Sequence, residues 1–567
     1  MIPSAIIPLT DVPTTATGKA HRKTLREKMG MLTLLEILSY NYQDKKAYRP
    51  PANNKEKLIQ SIVEELLCLS PSTVSLEDSF FDVGGDSLTA RQLVAKARSH
   101  GLSLTVAAIY ANPILSALAE SMGDMCGIDG PLKHLDPFTA LTQRFLQSIP
   151  TFLHDSIGDV YPSLGIATRT VHERRVDYFP FALDGPLDRL KFQKACETFI
   201  DAVPIMRSVF VPFEDQLLVV TLRPVNSLYQ ELTVPEGNDR MSWAKSFIAE
   251  DRKRKLSFER PCVQISLICK SVEEHIVVLR LPHAVYDGGC LQQIGKMLSA
   301  AYNGTTLPAA PTFADYARAA ANLRTPEALN HWTKLIEGSE ITRLPRASNG
   351  EQDVSIFSNE MSPAVTPPGI TLATAIKAAW AWVLHLETGK TDILFGQVGS
   401  MRGTDIPEGP GSDIIGCCLN TTPLRVCFEE LKANGATIKA LFDVIHDQHV
   451  QGLPYETVDW SDVVAQGMRW PRDTELDSVV LHENFGSTPS LQLGDILGEM
   501  DDAVFAAPPN DQHMLVTWPG KERLTAFLVT RKGMLASAYG EQLVALFCRT
   551  LTRFLDSPET NLFVHDD

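Results

Sequence analysis

The 567-residue sequence lacks any apolar run of about 18 residues, so nothing in it reads as a membrane-spanning helix. Its N-terminus, MIPSAIIPLTDVPTTATGKAHRK, lacks the long apolar core of a secretory signal. Positive charge is in deficit. Against 68 Asp and Glu stand 52 Lys and Arg, a net charge of −16, which argues against the clustered basic face that nucleic-acid binding needs. There are 10 cysteines but no CxxC pair, and they sit in apolar surroundings such as ALFCRT, as reduced core thiols do. No short-period repeat is present, and EGPGS at 408–412 lacks the Lys–Ser/Thr that would make it a phosphate loop. These absences lead to the expectation of a soluble, cytoplasmic protein with neither nucleic acid nor membrane as partner. At roughly 150 residues per domain the chain is too long for one core.

Residues 1–30 are rich in Pro, Thr and basic residues and have too little apolar mass to fold alone. From Pro50 the pattern changes. NNKEKLIQSIVEELLCL places Leu58, Ile59, Ile62, Val63, Leu66 and Leu67 on one helical face, with Asn54 as N-cap. A second helix is expected from Asp86 or Ser87 to Gly101, with Leu88, Leu93, Val94 and Ala97 inward, then shorter helices near Val106–Tyr110 and Ile114–Ser121. Together they predict an all-α four-helix bundle over 52–122. Residues 123–158 read as a linker with one helix near Ala140–Phe152. Beyond it strand-like and helical segments alternate: EHIVVLRL (274–281) is apolar on both faces, as a buried strand is, LATAIKAAWAWVLHLE (372–387) is helical, DILFGQV (392–398) is a strand, and the last helix runs over Glu541–Leu555. This predicts an α/β body in two lobes, 159–340 and 341–567, because single cores stop growing near about 250–300 residues.

In FFDVGGDSLTAR, Gly84 and Gly85 permit a tight turn, Asp86 can cap a helix, and Ser87 then sits in its first turn beside unpaired N–H groups. A phosphate esterified to Ser87 would lie at the positive end of the helix dipole; for GGDS alone, a Ser-rich cap explains the residues equally well. The block, with an amphipathic helix before it and a helix after it, resembles the peptidyl carrier (thiolation) domains of nonribosomal peptide synthetases. That resemblance implies a 4′-phosphopantetheine arm on Ser87, installed by a phosphopantetheinyl transferase. TGKAHRKTL resembles the last motif of the adenylation domains that precede such carriers, with Lys19 at the position of their lysine. Residues 1–30 therefore read as the C-terminal remnant of an adenylation domain, Met1 as a cut inside a larger synthetase, and upstream adenylation and condensation domains as partners.

LPHAVYDGG (281–289) puts His283 in a loop between an apolar strand and the helical stretch CLQQIGKMLSAAY. Acyl transfer from a thioester needs a group to take the nucleophile's proton, and neutral imidazole suits that, at roughly 10²–10⁴-fold in rate. A buried Asp287 would need a cationic partner, and such a pair would lock the loop. Gly288 and Gly289 leave space where a pantetheine arm could pass. HxxxD alone is more simply a satisfied core histidine. However, DVYPS (159–163), AVPIMRSVF (202–210), PTFADYA (311–317), DIIGCCLNTTPLRV (413–426) and GLPYE (452–456) follow in order, and residues 159–567 resemble the condensation domains of nonribosomal peptide synthetases.

That resemblance implies a two-lobed α/β fold like chloramphenicol acetyltransferase, with a tunnel between the lobes. It implies His283 as the catalytic base, Asp287 and Gly288 as its support, and Arg207 as the partner of Asp287, with Arg425 a second candidate. Tyr286, Asn420 and Thr421 would line the tunnel, though Asn420 also reads as a turn or strand-end residue. The usual motif is HHxxxDG, and Pro282 stands at its first histidine. PHAVYDG shares Ala284, Tyr286, Asp287 and Gly288 with the SHAxYDG form of fungal terminal condensation domains, which release the peptide, frequently as a ring.

The expectation is an acyltransferase of secondary-metabolite biosynthesis in which a peptide tethered to Ser87 is attacked by its own amine at His283. The alternatives are an elongating condensation domain feeding a downstream carrier-bound amino acid, and a non-catalytic docking platform, which Pro282 keeps open. Epimerisation domains share the motif but are expected to keep both histidines. His446 and His449 have helical metal-ligand spacing, but no cluster completes a metal site. HENFG (482–486) loosely resembles the Phe–Gly motif of plant CoA-dependent acyltransferases and reads as strand-end structure.

Overall fold

A computed structural model describes residues 48–563, apart from 68, 86, 125–135, 224–227, 349–352, 363–365, 368, 404–410, 434–435, 468–469, 472–473, 484–488, 502–511 and 521–522. The remnant expected at 1–30 lies outside the described residues. The chain divides into two units, at residues 126 and 127.

The first unit holds α1 (Asn54–Leu66), α2 (Ser87–Ser99), β1 (Leu102–Ser103), α3 (Val106–Ala111), α4 (Leu115–Ser121) and β2 (Gly123–Asp124). Its first helix is capped by Asn53 rather than Asn54: the Asn53 side chain accepts from the Glu56 N–H at 2.9 Å. The inward face is the one the periodicity marks, with Ile59, Ile62 and Val63 of α1 packed with Phe80, Leu93, Ala97, Ile109 and Leu118. The short strands β1 and β2 pair antiparallel across the end of this bundle.

The second unit opens with α5 (Thr139–Ser148), inside the segment expected to be a linker. Leu141 and Phe145 of that helix are buried against Val160, Val209, Leu218 and Val220, so the helix is part of the second core rather than a tether. There follow β3 (Ile157–Pro162), α6 (Gly165–His172), β4 (Val176–Asp184), α7 (Arg189–Ala202), β5 (Ser208–Phe213), β6 (Gln216–Leu222), β7 (Tyr229–Thr233), α8 (Arg240–Asp251), β8 (Gln264–Cys269), β9 (Glu274–Pro282), α9 (Leu291–Asn303), α10 (Phe313–Leu323) and α11 (Pro326–Ile336). The remainder comprises β10 (Val354–Met361), α12 (Leu372–Thr388), β11 (Asp392–Ser400), β12 (Leu419–Cys427), α13 (Phe428–Ala433), α14 (Ile438–Gly452), α15 (Trp460–Gly467), β13 (Ser478–His482), β14 (Ser490–Leu493), β15 (Ile496–Met500), β16 (His513–Pro519), β17 (Leu524–Arg531) and α16 (Ser537–Asp556).

These strands build two six-stranded mixed sheets, β14-β15-β4-β9-β8-β7 and β10-β17-β16-β13-β11-β12, and a small sheet β3-β6-β5. β9 lies between β4 and β8 with residues of both its faces buried, which is why EHIVVLRL is apolar on both faces. The first lobe's core gathers Phe179, Phe181, Phe192, Phe199, Val277 and Ile294; the second gathers Trp380, Trp382, Phe395, Phe442, Phe547 and Leu551. The division at 340 and 341 is not clean. The β14–β15 hairpin crosses back, pairing Met500 with Phe181 and Glu499 with Ala182 of β4, and buries Leu491, Leu493 and Ile496 in the first lobe's core. It covers a strand edge whose N–H and C=O groups would otherwise stand unpaired. No helix among the described residues is long and apolar enough to cross a membrane.

Candidate active site

The C-terminal end of β9 delivers His283 into a short 3-10 turn, His283–Val285, whose Ala284 and Val285 are buried. The His283 N–H donates to the Arg175 carbonyl at 3.1 Å, which fixes the loop to the residue just ahead of β4. The imidazole Nδ1 lies 3.1 Å from the Tyr286 carbonyl oxygen. A carbonyl only accepts, so Nδ1 carries the hydrogen and Nε2 keeps its lone pair. Burial, helped by the Arg175 cation and opposed by Asp177, pushes the His283 pKa down to about 4, so the ring is neutral at pH 7. It stacks on Tyr286, centroids 4.9 Å apart and planes inclined 22°. Tyr286 does not meet the expectation of a tunnel wall: it is 2 % exposed, and its hydroxyl donates to Asp177 at 2.5 Å.

Asp287 is 0 % exposed and fully engaged. Its Oδ1 accepts from Arg402 at 2.6 Å and from the Cys290 N–H at 3.1 Å; its Oδ2 accepts from the Cys418 N–H at 2.8 Å. Arg402 also donates to the carbonyls of Gly411, Ile414 and Gly416. Burial works against its charge, but Asp287 together with the Cys418 and Cys290 thiols holds the guanidinium above its ordinary pKa. The expected partners of Asp287 are therefore corrected. Arg207 donates to the carbonyls of Leu222, Ile200 and Asp201, closing the C-terminal end of α7, and burial lowers its pKa. Arg425 makes a two-pronged contact with Asp392 at 2.9 and 2.8 Å. The true partner went unseen because it stands 115 residues away on the other lobe. Its one sequence signal is placement: like His283, Arg402 sits just past a buried strand.

The glycines play a different part from the one expected. A Cβ on Gly289 would stand 3.0 Å from Arg402 Nε and 3.3 Å from Asp287 Oδ1, so the bare backbone makes room for the ion pair. Gly288 opens the turn that Asp287 caps. Asn420 is likewise not a tunnel residue: its amide donates to the carbonyls of Glu456 and Val458, at 2.8 and 2.7 Å, which is the strand-end role. Thr421 is buried, and its hydroxyl accepts from Arg169 at 3.4 Å. Arg169 in turn pairs with Glu475 at 2.9 Å, a second tie between the lobes.

Two carboxyls near this junction were not singled out from the sequence. Burial raises Glu483, just past β13, to about 7, with Arg175 pulling down and Asp287 pushing up; burial also raises Glu173, just past α6, to about 7. Most of the HENFG stretch lies outside the described residues. The thiols of Cys290 and Cys417, beside the Asp287–Arg402 pair, are raised by burial to about 11 and about 12, and no described cysteine is in a disulfide. His446 and His449 lie on α14, and no cluster of three or more metal-ligating side chains occurs among the described residues.

In the first unit Ser87 is the first residue of α2. Gly84 has φ +109°, a conformation L-residues rarely adopt, and a Cβ on Gly85 would fall 2.4 Å from the Phe80 ring. Asp86, the expected cap, lies outside the described residues. A helix of 13 residues leaves its first N–H groups without intrahelical acceptors, so a phosphate ester at its start fits the backbone there.

The family model for the condensation domain matches residues 178–486, and that for the phosphopantetheine attachment site matches 57–122. The chain is similar to the nonribosomal peptide synthetase hkm11 of Aspergillus hancockii, 51% identical over 566 residues, which are 99% of this chain and 43% of that one. It is 33% identical to nonribosomal peptide synthetase 6 of Aspergillus fumigatus, over 98% of this chain and 43% of that one. It thus spans less than half the length of these curated relatives. Among solved structures, one described as holo T3CT matches with a TM-score of 0.66 at 23% identity, covering 75% of this chain and 97% of that one. The condensation domain of the monacolin K polyketide synthase MokA matches with a TM-score of 0.56 at 15% identity, covering 71% and 99%. These likenesses show the two-lobed α/β fold. With a phosphopantetheine-bearing carrier joined to that fold, the chain belongs to the condensation-domain family of nonribosomal peptide synthetases.

Proposed function

We propose that this chain releases a peptide held on Ser87 by transferring its acyl group to an amine of the same peptide, closing a ring, with His283 as the base. Phosphopantetheine on the carrier serine supplies the thiol through which the acyl group is held. The observation that carries the reading is the oriented, neutral imidazole of His283: Nδ1 is committed to the Tyr286 carbonyl and Nε2 is left with its lone pair. A weakly basic ring accepts a proton only from an acidified donor. The attacking amine becomes one as its nitrogen gains positive charge at the acyl carbonyl. Asp287 and Arg402 hold the loop that presents the ring. Ring closure, rather than transfer to a second carrier, rests on the PHAVYDG motif. An upstream adenylation domain would load the carrier, and a phosphopantetheinyl transferase would prime Ser87.

Intact-protein mass spectrometry tests this, after Ser87 is loaded with a model peptidyl-pantetheine in wild type and His283→Ala. Wild type should shed a cyclic product with no second carrier present, and the variant should keep its load. Retention by wild type until an aminoacyl carrier is added would instead make this an elongating domain. Identical behaviour of the two proteins would leave a docking platform.

A further inference from the structure

We infer that Asp177 and Tyr286 form a positioning pair that sets the tautomer of His283, so that the base depends on a carboxylate two side chains removed from it. The inference rests on His283 as the base. Asp177 lies on β4, opposite Leu281 in the β4–β9 register, and so beside the strand end that delivers His283. It is 0 % exposed, with the Arg175 Nε 3.5 Å away to balance its charge. The Tyr286 hydroxyl donates to it at 2.5 Å, and the Tyr286 ring packs edge-on against Phe179 of the same strand, centroids 5.1 Å apart. Tyr286 is thereby clamped to β4 at two points. Its ring forms the floor under the imidazole, and its carbonyl oxygen accepts the Nδ1 hydrogen. A base whose second nitrogen is held by a third group works in one orientation and one tautomer. Here the third group is a backbone carbonyl, and what holds the carbonyl is the hydrogen bond from its own side chain to Asp177. Asp177 touches no reacting atom; it acts through Tyr286.

Tyr286→Phe keeps the ring and the carbonyl and removes only the bond to Asp177; Asp177→Asn keeps the shape and removes the charge. Both are made in the full chain, with the double variant. The first readout is the imidazole nitrogen shifts of histidine-labelled protein, with the His283 signal assigned by its loss in His283→Ala. Wild type should show Nδ1 protonated, and Tyr286→Phe should show a mixed tautomer. The second is the single-turnover release of the loaded model peptide. It should fall roughly tenfold in Tyr286→Phe. The double variant should be no more than about twofold below the worse single one, because the two residues act as one unit. An Nε2-protonated ring in wild type, or an unchanged tautomer and rate in Tyr286→Phe, would overturn the inference. The nitrogen shifts need no turnover, so a failure of the positioning pair is separable from a failure of the release reading, which shows as product shed by His283→Ala.

Discussion

Replacing Arg402 by Met should cost the second unit about 3–5 kcal/mol, because it strips a buried carboxylate of its counter-charge. The magnitude follows from what remains around Asp287. At 0 % exposure it keeps two backbone donors, Cys290 N–H at 3.1 Å and Cys418 N–H at 2.8 Å, which compensate part of the charge and place the loss toward the lower end of that range. Of the three carbonyls that Arg402 reaches, those of Gly411 and Gly416 also accept from the Ile414 and Cys418 N–H groups, so the change falls mainly on the Ile414 carbonyl and stays within that range. Asp287→Asn should also destabilise, since it leaves the guanidinium unbalanced, yet the double variant should lose far less than the sum. A coupling of at least about 2 kcal/mol is expected between positions 287 and 402, and none beyond about 0.5 kcal/mol between 287 and 207. Urea unfolding followed by tryptophan fluorescence reads this cleanly, because all seven tryptophans, from Trp243 to Trp518, lie in the second unit. Additive losses at 287 and 402, or coupling of 287 with Arg207, would refute the assignment of the pair.

The depressed pKa of His283 makes two linked effects of pH. The imidazole nitrogen shifts of His283 in the folded chain should titrate with a midpoint near 4, whereas the release rate falls at higher pH as the attacking amine protonates; a ring midpoint near 6.5 would mean an unperturbed imidazole. In the unfolded chain the ring takes its proton near 6.5, so the native state loses stability as pH falls from about 6.5 to about 4, on the order of 3 kcal/mol, and His283→Ala should remove that share of the acid-side fall in the urea midpoint. In the carrier, Gly85→Ala should loosen the bundle more than Gly84→Ala. At Gly85 the new methyl would overlap the Phe80 ring and carbonyl, at 2.4 and 2.5 Å, whereas at Gly84 only the positive φ resists it. Amide hydrogen exchange over residues 54–121 ranks the two, and equal protection would contradict the contact.

The carrier helices and β9 were legible because burial there is local: one apolar face per helix, two per central strand, each written within a dozen residues. The helix at Thr139–Ser148 was also visible as a helix but not as part of a core, since its apolar residues Leu141 and Phe145 are too few to announce a partner. His283 and Asp287 could be singled out from nine residues of sequence, yet Arg402 could not, because an ion pair between lobes is decided by how two sheets pack. Family resemblance carried position but not contact. It pointed to Arg207, which closes a helix end, and to Asn420, which ties two carbonyls. Tyr286 was noticed for its place in the motif, but only the structure turns it from a wall residue into the floor beneath the imidazole.

The hairpin at Ser490–Met500 that returns to complete the first sheet has a consequence for how such enzymes can be rearranged. A chimera joined near residue 340 would import a front half whose β4 edge has no matching hairpin, or a back half whose hairpin meets a foreign strand. A chimera that keeps both sheets whole must therefore exchange the two lobes together.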